Sequence, residues 1–426
     1  MKLEEHNFHW RKGYFYGYER KREIYSELWK SLEKRRITVI TGTRRVGKTT
    51  IMRQMIDELI KQGTERYSIL YFSFDEEQPS LREIVKEYEV RLGNEILESK
   101  EKYYIFLDEI QKLKGWQEQI KYFYDSYENI KFIVSGSASL FIRQGVRESL
   151  AGRVKEFHMG PLSFREYLMF TDKEYMLKKP EMFRSNLESE FNRYLKRQYI
   201  EILNEDDEEI RDYVKSIIEK VVFIDIPHIF SVENPHLLMK IVEMLASEPG
   251  MLMDYSKMAR SVGNGESVSR VRISRYVHHL QDAYLIKLGY NYSKSSVVSE
   301  RKLKKAYLSN SSLSMIAKRE PDMGKLAEQC FFTTKDVNFF WRTPQKDEVD
   351  MVMETEEGVI PIEVKYQGSI GKADLKGLMK FMRKYGVKKG ILISKNLRDT
   401  IETPYGTIEI VPAWLFALGD FVTTFI

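Results

Sequence analysis

The chain has 426 residues, which is too long for one ordinary domain and predicts two to four compact units. Hydrophobic residues make up 42% and charged residues 31%, a balance that excludes a wholly disordered polymer. The net charge of +5 is too small to establish a nucleic-acid partner by itself. A single cysteine, Cys330, excludes a disulfide framework and a cysteine-based zinc site.

The first residues of the chain contain no apolar core followed by a small-residue cleavage site. No apolar run in the sequence is long enough to span a bilayer. We therefore expect neither secretion nor membrane insertion, and the single cysteine makes the reducing cytoplasm the expected compartment.

The N-terminal part of the sequence alternates short apolar strands with helices. Residues 37–41, ITVIT, predict a strand that ends in a glycine-containing loop, and residues 49–61 predict the helix that follows. Further strands are predicted at 68–74, 103–108 and 131–136, with helices at 81–98 and 116–127. This alternation predicts a mostly parallel sheet with helices on both faces.

The remaining sequence predicts three further segments. Charged, helix-favouring sequence predicts a helical subdomain over 171–225, after a first α/β domain over 1–170. Three helical patterns and the possible short hairpin LIKLGYNYSK resemble a winged helix-turn-helix, which we place at 226–298. Residues 299–426 predict a second α/β unit with strands near NFFWR, DEVDMVM and VIPIEVKY, a helix at 373–384 and strands at 389–394 and 408–411.

Residues 42–49, GTRRVGKT, fit the P-loop pattern, also called Walker A, between a predicted strand and a predicted helix. The glycines let the backbone amides approach phosphates, Lys48 reaches the β- and γ-phosphates, and Thr49 ligates Mg²⁺. A glycine turn before an ordinary helix is the alternative. The predicted ATP-binding residues are Gly42, Thr43, Arg44, Arg45, Val46, Gly47, Lys48, Thr49 and Thr50.

The apolar strand YYIFLD ends in Asp108, and Glu109 follows directly, as in a Walker B motif. Asp108 is predicted to hold Mg²⁺, and Glu109 to polarise the water that attacks the γ-phosphate. A solvated strand end is the alternative for such a pair without an upstream P-loop. Two more candidates follow: Ser135 could sense the γ-phosphate, and Arg153 could stabilise the transition state from this subunit or a neighbour. For these two, a structural hydroxyl and a solvated surface arginine are the alternatives.

The runs ITVITGTRRVGKTT, YIFLDEIQKLKGW, FIVSGSASLF, SLAGRV and GPLSFREYL resemble archaeal and bacterial AAA+-type ATPases whose C-terminal region was a domain of unknown function. The resemblance implies an α/β fold in which a P-loop AAA+-type parallel sheet and a helical lid precede a winged helix and a restriction-endonuclease-like α/β domain. It strengthens the sensor role of Ser135 and the finger role of Arg153. It also fits the basic Arg44 and Arg45, and it implies a homo-oligomer only weakly.

The stretch SVSRVRISRYVHHLQDAYLI places Arg270, Arg272 and Arg275 at helical spacing, so these residues are the predicted DNA-binding set. Basic residues recur in SERKLKKAY, at 299–307. Phosphate contacts by such groups weaken strongly with salt. A solvated basic face that binds protein is the alternative, because winged helices also serve as protein-interaction modules.

In the last segment, strand alternation puts Glu363 and Lys365 on one face, and Asp350 would join them if it lies on the adjacent strand of a hairpin. This is the arrangement of PD-(D/E)xK nucleases, in which carboxylates bind Mg²⁺ and the lysine stabilises charge. Glu328 matches the acidic helix residue of that fold. The predicted metal ligands are therefore Glu328, Asp350 and Glu363, with Lys365 as the catalytic lysine. An exposed charged hairpin is the alternative.

The sequence thus predicts an ATP-hydrolysing enzyme with ATP and Mg²⁺ as its cofactors, coupled to a C-terminal half that binds DNA and could also cleave it. One alternative is a nucleotide-regulated signalling or DNA-binding switch with an inactive nuclease-like domain. Another is a protein-remodelling ATPase whose turnover does not respond to nucleic acid.

Overall fold

A computed structural model describes residues 2–136, 150–263, 268–295, 299, 303–317, 322–335 and 337–419. The chain divides into two compact units, Met1–Gly160 and Pro161–Ile426. No helix in the described part of the chain combines the length and the apolar character that crossing a bilayer requires.

The N-terminal unit is built on a parallel five-stranded sheet with the order β2-β3-β4-β1-β5. Its strands are β1 Ile37–Thr41, β2 Ile69–Ser73, β3 Tyr103–Asp108, β4 Ile130–Gly136 and β5 Val154–His158. The first four agree with the predicted strands. Strand β5 was not predicted, because its sequence VKEFH contains no apolar run. Only one of its five residues is fully buried.

The described α-helices of this unit are α1 Leu3–His6, α2 Tyr25–Ser31, α3 Lys48–Lys61, α4 Leu81–Leu92 and α5 Trp116–Ser126. Of these, α1, α4 and α5 share an apolar core with the sheet. Helix α4 stops earlier than the predicted residue 98, because Gly93 adopts a left-handed conformation with φ of 72° and ends it.

The N-terminal segment covers β2, which is an edge strand of the sheet. The Asn7 side chain donates to the Tyr71 carbonyl oxygen at 2.9 Å and accepts from the Tyr71 amide at 2.7 Å. His9 and Trp10 both bond to the Ile69 carbonyl oxygen. These side chains satisfy backbone groups that an uncovered edge strand would leave open for pairing with another chain.

The C-terminal unit contains a mixed nine-stranded sheet of described strands, in the order β13-β14-β12-β11-β10-β9-β7-β8-β6. The strands are β6 Met251–Leu252, β7 Ile286–Asn291, β8 Lys304–Leu308, β9 Phe339–Arg342, β10 Glu348–Thr355, β11 Gly358–Lys365, β12 Lys389–Ser394, β13 Asp399–Thr403 and β14 Gly406–Pro412. Apolar clusters lie on both faces of β10 to β14, one of them built with the helix that contains Phe381.

The helices of this unit surround the sheet. They are α6 Phe164–Phe170, α7 Arg184–Tyr194, α8 Asp207–Lys220, α9 Ile226–Ile229, α10 Pro235–Ser247, α11 Tyr255–Val262, α12 Arg270–Asp282, α13 Met323–Thr334, α14 Lys376–Tyr385 and α15 Ala413–Leu418. Phe191 of α7 stacks on Phe331 of α13, so the helices that begin the predicted lid share a core with the C-terminal strands. Their assignment as a lid stays a prediction.

Residues 285–294 were predicted to form a short hairpin, but they contain a single strand, β7, that pairs with more distant strands. Strand β7 pairs antiparallel with β8 and parallel with β9. The segments predicted as a winged helix and as a nuclease-like domain therefore contribute to the same sheet. The reason is that β8 lies beyond the predicted boundary at residue 298 and completes the antiparallel pair.

Candidate functional site

The predicted P-loop connects the carboxyl end of β1 to the first turn of α3. Gly42 approaches the neighbouring strand so closely that a Cβ there would lie 2.2 Å from the Met159 carbonyl oxygen. Gly47 has φ of 95°, a left-handed conformation that favours glycine, and it caps α3. Steric constraints therefore explain why both motif positions are glycines. The loop leads directly into the N-terminus of a 14-residue helix, where free backbone amides favour an anion.

Within the loop, polar side chains turn toward the backbone. The buried Lys48 donates to the carbonyl oxygens of Gly42 at 3.1 Å and Thr43 at 2.9 Å. The Thr43 hydroxyl is buried and has no hydrogen-bond partner among the described residues. An ammonium and an unpaired hydroxyl in a loop of backbone amides form a donor set that suits phosphate oxygens.

Asp108, at the end of β3, accepts hydrogen bonds on both carboxylate oxygens. Oδ2 accepts from the Thr49 hydroxyl at 2.5 Å and from the Tyr71 hydroxyl at 2.9 Å. Oδ1 accepts from the Ser135 hydroxyl and from the Glu109 amide at 3.1 Å. The structure thus brings the predicted Walker A threonine, the Walker B aspartate and the predicted sensor serine into direct contact.

Glu109 follows Asp108 in a left-handed conformation with φ of 53°, which is uncommon for a residue with a side chain. Burial raises the pKa of the Glu109 carboxyl, and the ammonium of Lys48 opposes that shift. Gln111 donates to Glu109 Oε2 at 2.5 Å and fixes its orientation. A carboxylate with a raised pKa beside the P-loop lysine has the properties of a general base.

Arg153 lies elsewhere in the unit. It immediately precedes β5, and its carbonyl oxygen accepts from the Ile37 amide at the amino end of β1, whereas the P-loop follows the carboxyl end. Its guanidinium forms a bidentate ion pair with Asp125, with distances of 2.9 and 3.1 Å. A finger role within the same subunit therefore has no support from its position, and a role toward a neighbouring subunit stays a prediction.

Two contacts of this site were missed by the sequence interpretation. Arg22, in the N-terminal segment, donates to the carbonyl oxygens of Val46 at 2.9 Å and Gly160 at 3.0 Å, so it fastens the P-loop. Tyr71 was inside a predicted strand but carried no motif, although its hydroxyl orients Asp108. Strand alternation beside Asp108 could have suggested Tyr71, whereas no local pattern links residue 22 to the loop.

The predicted DNA-binding arginines all lie on α12, but they do not share one environment. Arg270 and Arg275 line a surface cavity of about 550 Å³, together with Val271 and His278. Arg272 forms an ion pair with Glu233 at 2.8 Å, and Arg275 lies 3.9 Å from the same carboxylate. The structure thus groups two of the three predicted residues on one exposed face.

The predicted hairpin of the C-terminal unit is present, because β10 and β11 pair antiparallel through Met351 and Ile362. Lys365 donates to Glu363 Oε1 at 2.6 Å, so these two side chains share a face as predicted. Burial, followed by the charge of Asp350, raises the pKa of Glu363 to about 8. Glu363 Oε2 is buried without a hydrogen-bond partner among the described residues.

Lys305, on β8, lies among the carboxylates that were predicted to bind metal. Its ammonium is 2.9 Å from Glu328 Oε1, 3.4 Å from Asp350 Oδ1 and 2.6 Å from Glu348 Oε1. The sequence interpretation placed Lys305 in a basic run facing phosphates, but its side chain is only 3% exposed. That expectation is wrong for Lys305, because strand alternation turns it inward; residues 300–302 of the same run lie outside the described residues.

Across the part of the chain that the structure describes, no group of three or more His, Cys, Asp or Glu side chains is arranged to hold a metal ion. The metal roles of Glu328, Asp350 and Glu363 therefore stay predictions. At the P-loop the donors differ, because Thr49 and Asp108 supply one hydroxyl and one carboxylate, which are oxygen ligands that Mg²⁺ accepts alongside nucleotide phosphates and water.

Three family matches cover most of the chain. Residues 34–168 match the AAA domain family. Residues 190–322 match a domain of unknown function, DUF8612. Residues 324–416 match another domain of unknown function, DUF4143.

Curated relatives of this chain include three uncharacterised proteins. One from Methanocaldococcus jannaschii is 25% identical over 405 residues, which cover 90% of this chain and 88% of that protein. One from Haemophilus influenzae is 27% identical over 250 residues, which cover 58% of this chain and 61% of that protein. A second M. jannaschii protein is 28% identical over 57% of its length, so the chain spans less than two thirds of two of these relatives.

Solved structures with partial similarity include a Walker-type ATPase of Pyrococcus abyssi. Its TM-score is 0.46 at 16% identity, over 70% of this chain and 95% of that one. The Orc1 protein of Aeropyrum pernix, solved in complex with DNA, has a TM-score of 0.34 at 13% identity, over 76% of this chain and 96% of that one.

Proposed function

We propose that this chain, whose residues 34–168 match the AAA domain family, binds and hydrolyses ATP at the P-loop and uses the cycle to control a DNA-binding C-terminal unit. The observation that carries the ATPase part is the 2.5 Å contact between Thr49 and Asp108. It joins two motifs that are 59 residues apart in sequence into one acidic site beside Lys48.

Each residue of the site has a defined task in this proposal. The loop amides and Lys48 bind and orient the triphosphate, while Thr49 and Asp108 hold Mg²⁺, which neutralises phosphate charge when bound. Glu109 accepts a proton from the attacking water, and Gln111 keeps its carboxylate in place. Tyr71 and Ser135 orient Asp108 from opposite oxygens.

The test combines calorimetric ATP binding with phosphate release. We expect Lys48→Ala to abolish ATP binding while the fold is retained, because the loop loses its only lysine charge. We expect Glu109→Gln to keep ATP binding and to reduce turnover by roughly 10²- to 10⁴-fold, the usual contribution of a general base.

Lys86→Ala and Glu101→Gln are matched controls, because both side chains are exposed on the same unit. They are expected to bind and hydrolyse ATP as the unmodified protein does. Unchanged ATP affinity in Lys48→Ala, or unchanged turnover in Glu109→Gln, would contradict the proposal.

The DNA-binding part rests on the C-terminal unit. The order α10, β6, α11, α12, β7, β8 supports the predicted winged helix-turn-helix, in which α12 would be the recognition helix. Arg270, Arg275 and His278 are exposed on one surface of α12, which supports contacts to phosphates.

The predicted functions differ in whether the C-terminal unit cleaves DNA, binds DNA without cleaving it, or belongs to a protein-remodelling ATPase. A DNA-cleaving unit would need a metal at Glu328, Asp350 and Glu363, and the contacts of Lys305 favour the form without cleavage. A protein-remodelling ATPase would show ATP turnover and nucleotide affinity that are unaffected by any nucleic acid.

A further inference from the structure

A buried ammonium lies at the centre of the C-terminal carboxylate cluster. Lys305 contacts Glu328 of α13 and both Glu348 and Asp350 of β10, at distances between 2.6 and 3.4 Å. The side chains of Lys305 and Glu328 are 3% and 6% exposed. Lys305 also lies over the Phe340 ring, with its ammonium 5.4 Å from the ring centroid.

The oxygens that a metal would need already accept hydrogen bonds from protein donors. Glu328 Oε1 accepts from Lys305 and from the Tyr307 hydroxyl at 2.8 Å, and Oε2 faces Lys325 at 3.1 Å. Asp350 Oδ2 accepts from the Val364 amide at 2.9 Å. Divalent cations bind carboxylate oxygens at about 2.0–2.6 Å and demand most of their lone pairs, so a metal would compete with these donors.

The charges of the cluster also oppose metal binding, because its carboxylates are already paired with a cation. Buried carboxylates are stable only when they are paired with cations, and Lys305 supplies that pairing for three of them. The contacts of these carboxylates are therefore incompatible with the predicted metal site. Glu363 is the exception, because its Oε2 has no partner among the described residues.

We propose that Lys305 is a resident cation that takes the place of a divalent metal, so that the C-terminal unit is not a metal-dependent nuclease and the carboxylates instead fasten β8 to α13 and β10. In consequence, one side chain of β8, the strand that completes the predicted winged-helix region, contacts both α13 and β10. The inference does not depend on ATP hydrolysis, which occurs in the other unit.

The test is a Mn²⁺ titration of the full-length, nucleotide-free protein, followed by electron paramagnetic resonance. All variants carry Asp108→Asn, which removes binding at the P-loop. With Lys305 intact we expect no bound Mn²⁺ that depends on Asp350. In Lys305→Met we expect Mn²⁺ affinity to rise at least about tenfold, because Asp350 loses its ion-pair partner while Glu328 and Glu348 keep only Lys325 and Arg342. The affinity should fall again when Asp350→Asn is added.

Lys304→Met is the matched control, because this neighbouring lysine points to the opposite face of β8 and lies over the Tyr290 ring. It is expected to bind Mn²⁺ no better than the lysine-intact protein. Thermal unfolding gives a second readout: Mn²⁺ should raise the Tm of Lys305→Met and leave that of Lys304→Met unchanged.

Two results would overturn the inference. One is Mn²⁺ binding, or Mg²⁺-dependent nicking of supercoiled DNA, that requires Asp350 while Lys305 is present. The other is a folded Lys305→Met protein that gains no Mn²⁺ binding. If Lys305→Met does not fold, the lysine-intact titration and the nicking assay, each with and without Asp350→Asn, still decide the question.

Discussion

Single buried polar residues carry much of the organisation of the N-terminal unit. Asp108 is nearly inaccessible, and four donors surround its carboxylate: two lie on β2 and β4, one follows β3, and one is in the first turn of α3. Lys131 lies at the opposite, amino end of the strands and forms no ion pair with a carboxylate of the described residues. It donates to the carbonyl oxygens of Lys34, at 2.8 Å, and Arg36. Burial, with Lys102 and Arg36 nearby, lowers the pKa of Lys131 to about 7.

This lowered pKa predicts a pH dependence of stability. Between about pH 7 and the ordinary lysine value of 10.5, the unfolded chain binds the proton that the folded chain has released. The free energy of unfolding should therefore rise with pH above 7, by at most about 1.4 kcal/mol per pH unit from this group, and not change below pH 7 on its account. Lys131→Met should remove that rise in denaturant titrations at pH 7, 8 and 9.

Lys100→Met is the control for this measurement, since Lys100 is exposed in the same unit. It should keep the pH dependence of the unmodified protein. Equal slopes in the unmodified protein and in Lys131→Met would refute the assignment of the effect to Lys131.

At the scale of the element, helix α12 presents two distinct faces. Ser269 caps its first turn by accepting from the Arg272 amide at 3.2 Å, and Ile273, Tyr276 and Leu280 are buried. The opposite face carries Arg270 and Arg275, and it also exposes 69% of Val271. A helix that is anchored by its apolar side and leaves cations exposed suits contacts to a phosphate backbone.

We expect Arg270→Ala and Arg275→Ala together to weaken DNA binding and to reduce its salt dependence. Each lost phosphate contact should lower the slope of log K against log salt by about 0.9. Fluorescence anisotropy with labelled duplex DNA at several salt concentrations measures both quantities. Arg383→Ala on α14, which is exposed in the same unit, should change neither. An unaltered slope in the double variant would exclude this face as the DNA contact.

At the scale of the whole molecule, the question is whether the two units influence each other. If nucleotide changes DNA affinity by some factor, DNA must change nucleotide affinity by the same factor, because binding free energies are linked. The C-terminal unit joins its predicted winged helix and nuclease-like strands in one sheet, so it offers a single structure on which such coupling can act.

We expect ATP to alter the DNA affinity of the Glu109→Gln protein by about fivefold or more, a common size for such coupling. DNA should alter its ATP affinity by an equal factor, and Lys48→Ala should abolish the effect of ATP. Calorimetry with each ligand, in the presence and absence of the other, gives both factors. If neither ligand changes the affinity for the other, the two units act independently. If the protein binds no DNA at all, the protein-remodelling alternative is favoured.

The sequence by itself determined the parallel sheet, the P-loop and the Walker B pair. These features depend on local spacing: β1 and the glycines of the loop are contiguous, and β3 ends in Asp108 after an apolar run. The hairpin that places Glu363 beside Lys365 was predictable for the same reason, since strand alternation and a short turn are local.

Only the tertiary structure decided which distant side chains meet. Arg22 reaches the P-loop through a contact that no local pattern encodes, and Tyr71 meets Asp108 from a strand 37 residues away in sequence. Arg153 precedes β5, which runs parallel to β1. It therefore lies at the amino ends of these strands, whereas the P-loop follows the carboxyl end of β1. Lys305 looked like part of a surface-basic run, but the nine-stranded sheet buries it among carboxylates that are 23 to 45 residues away in sequence, so its charge fills the place that the motif alone assigned to a metal.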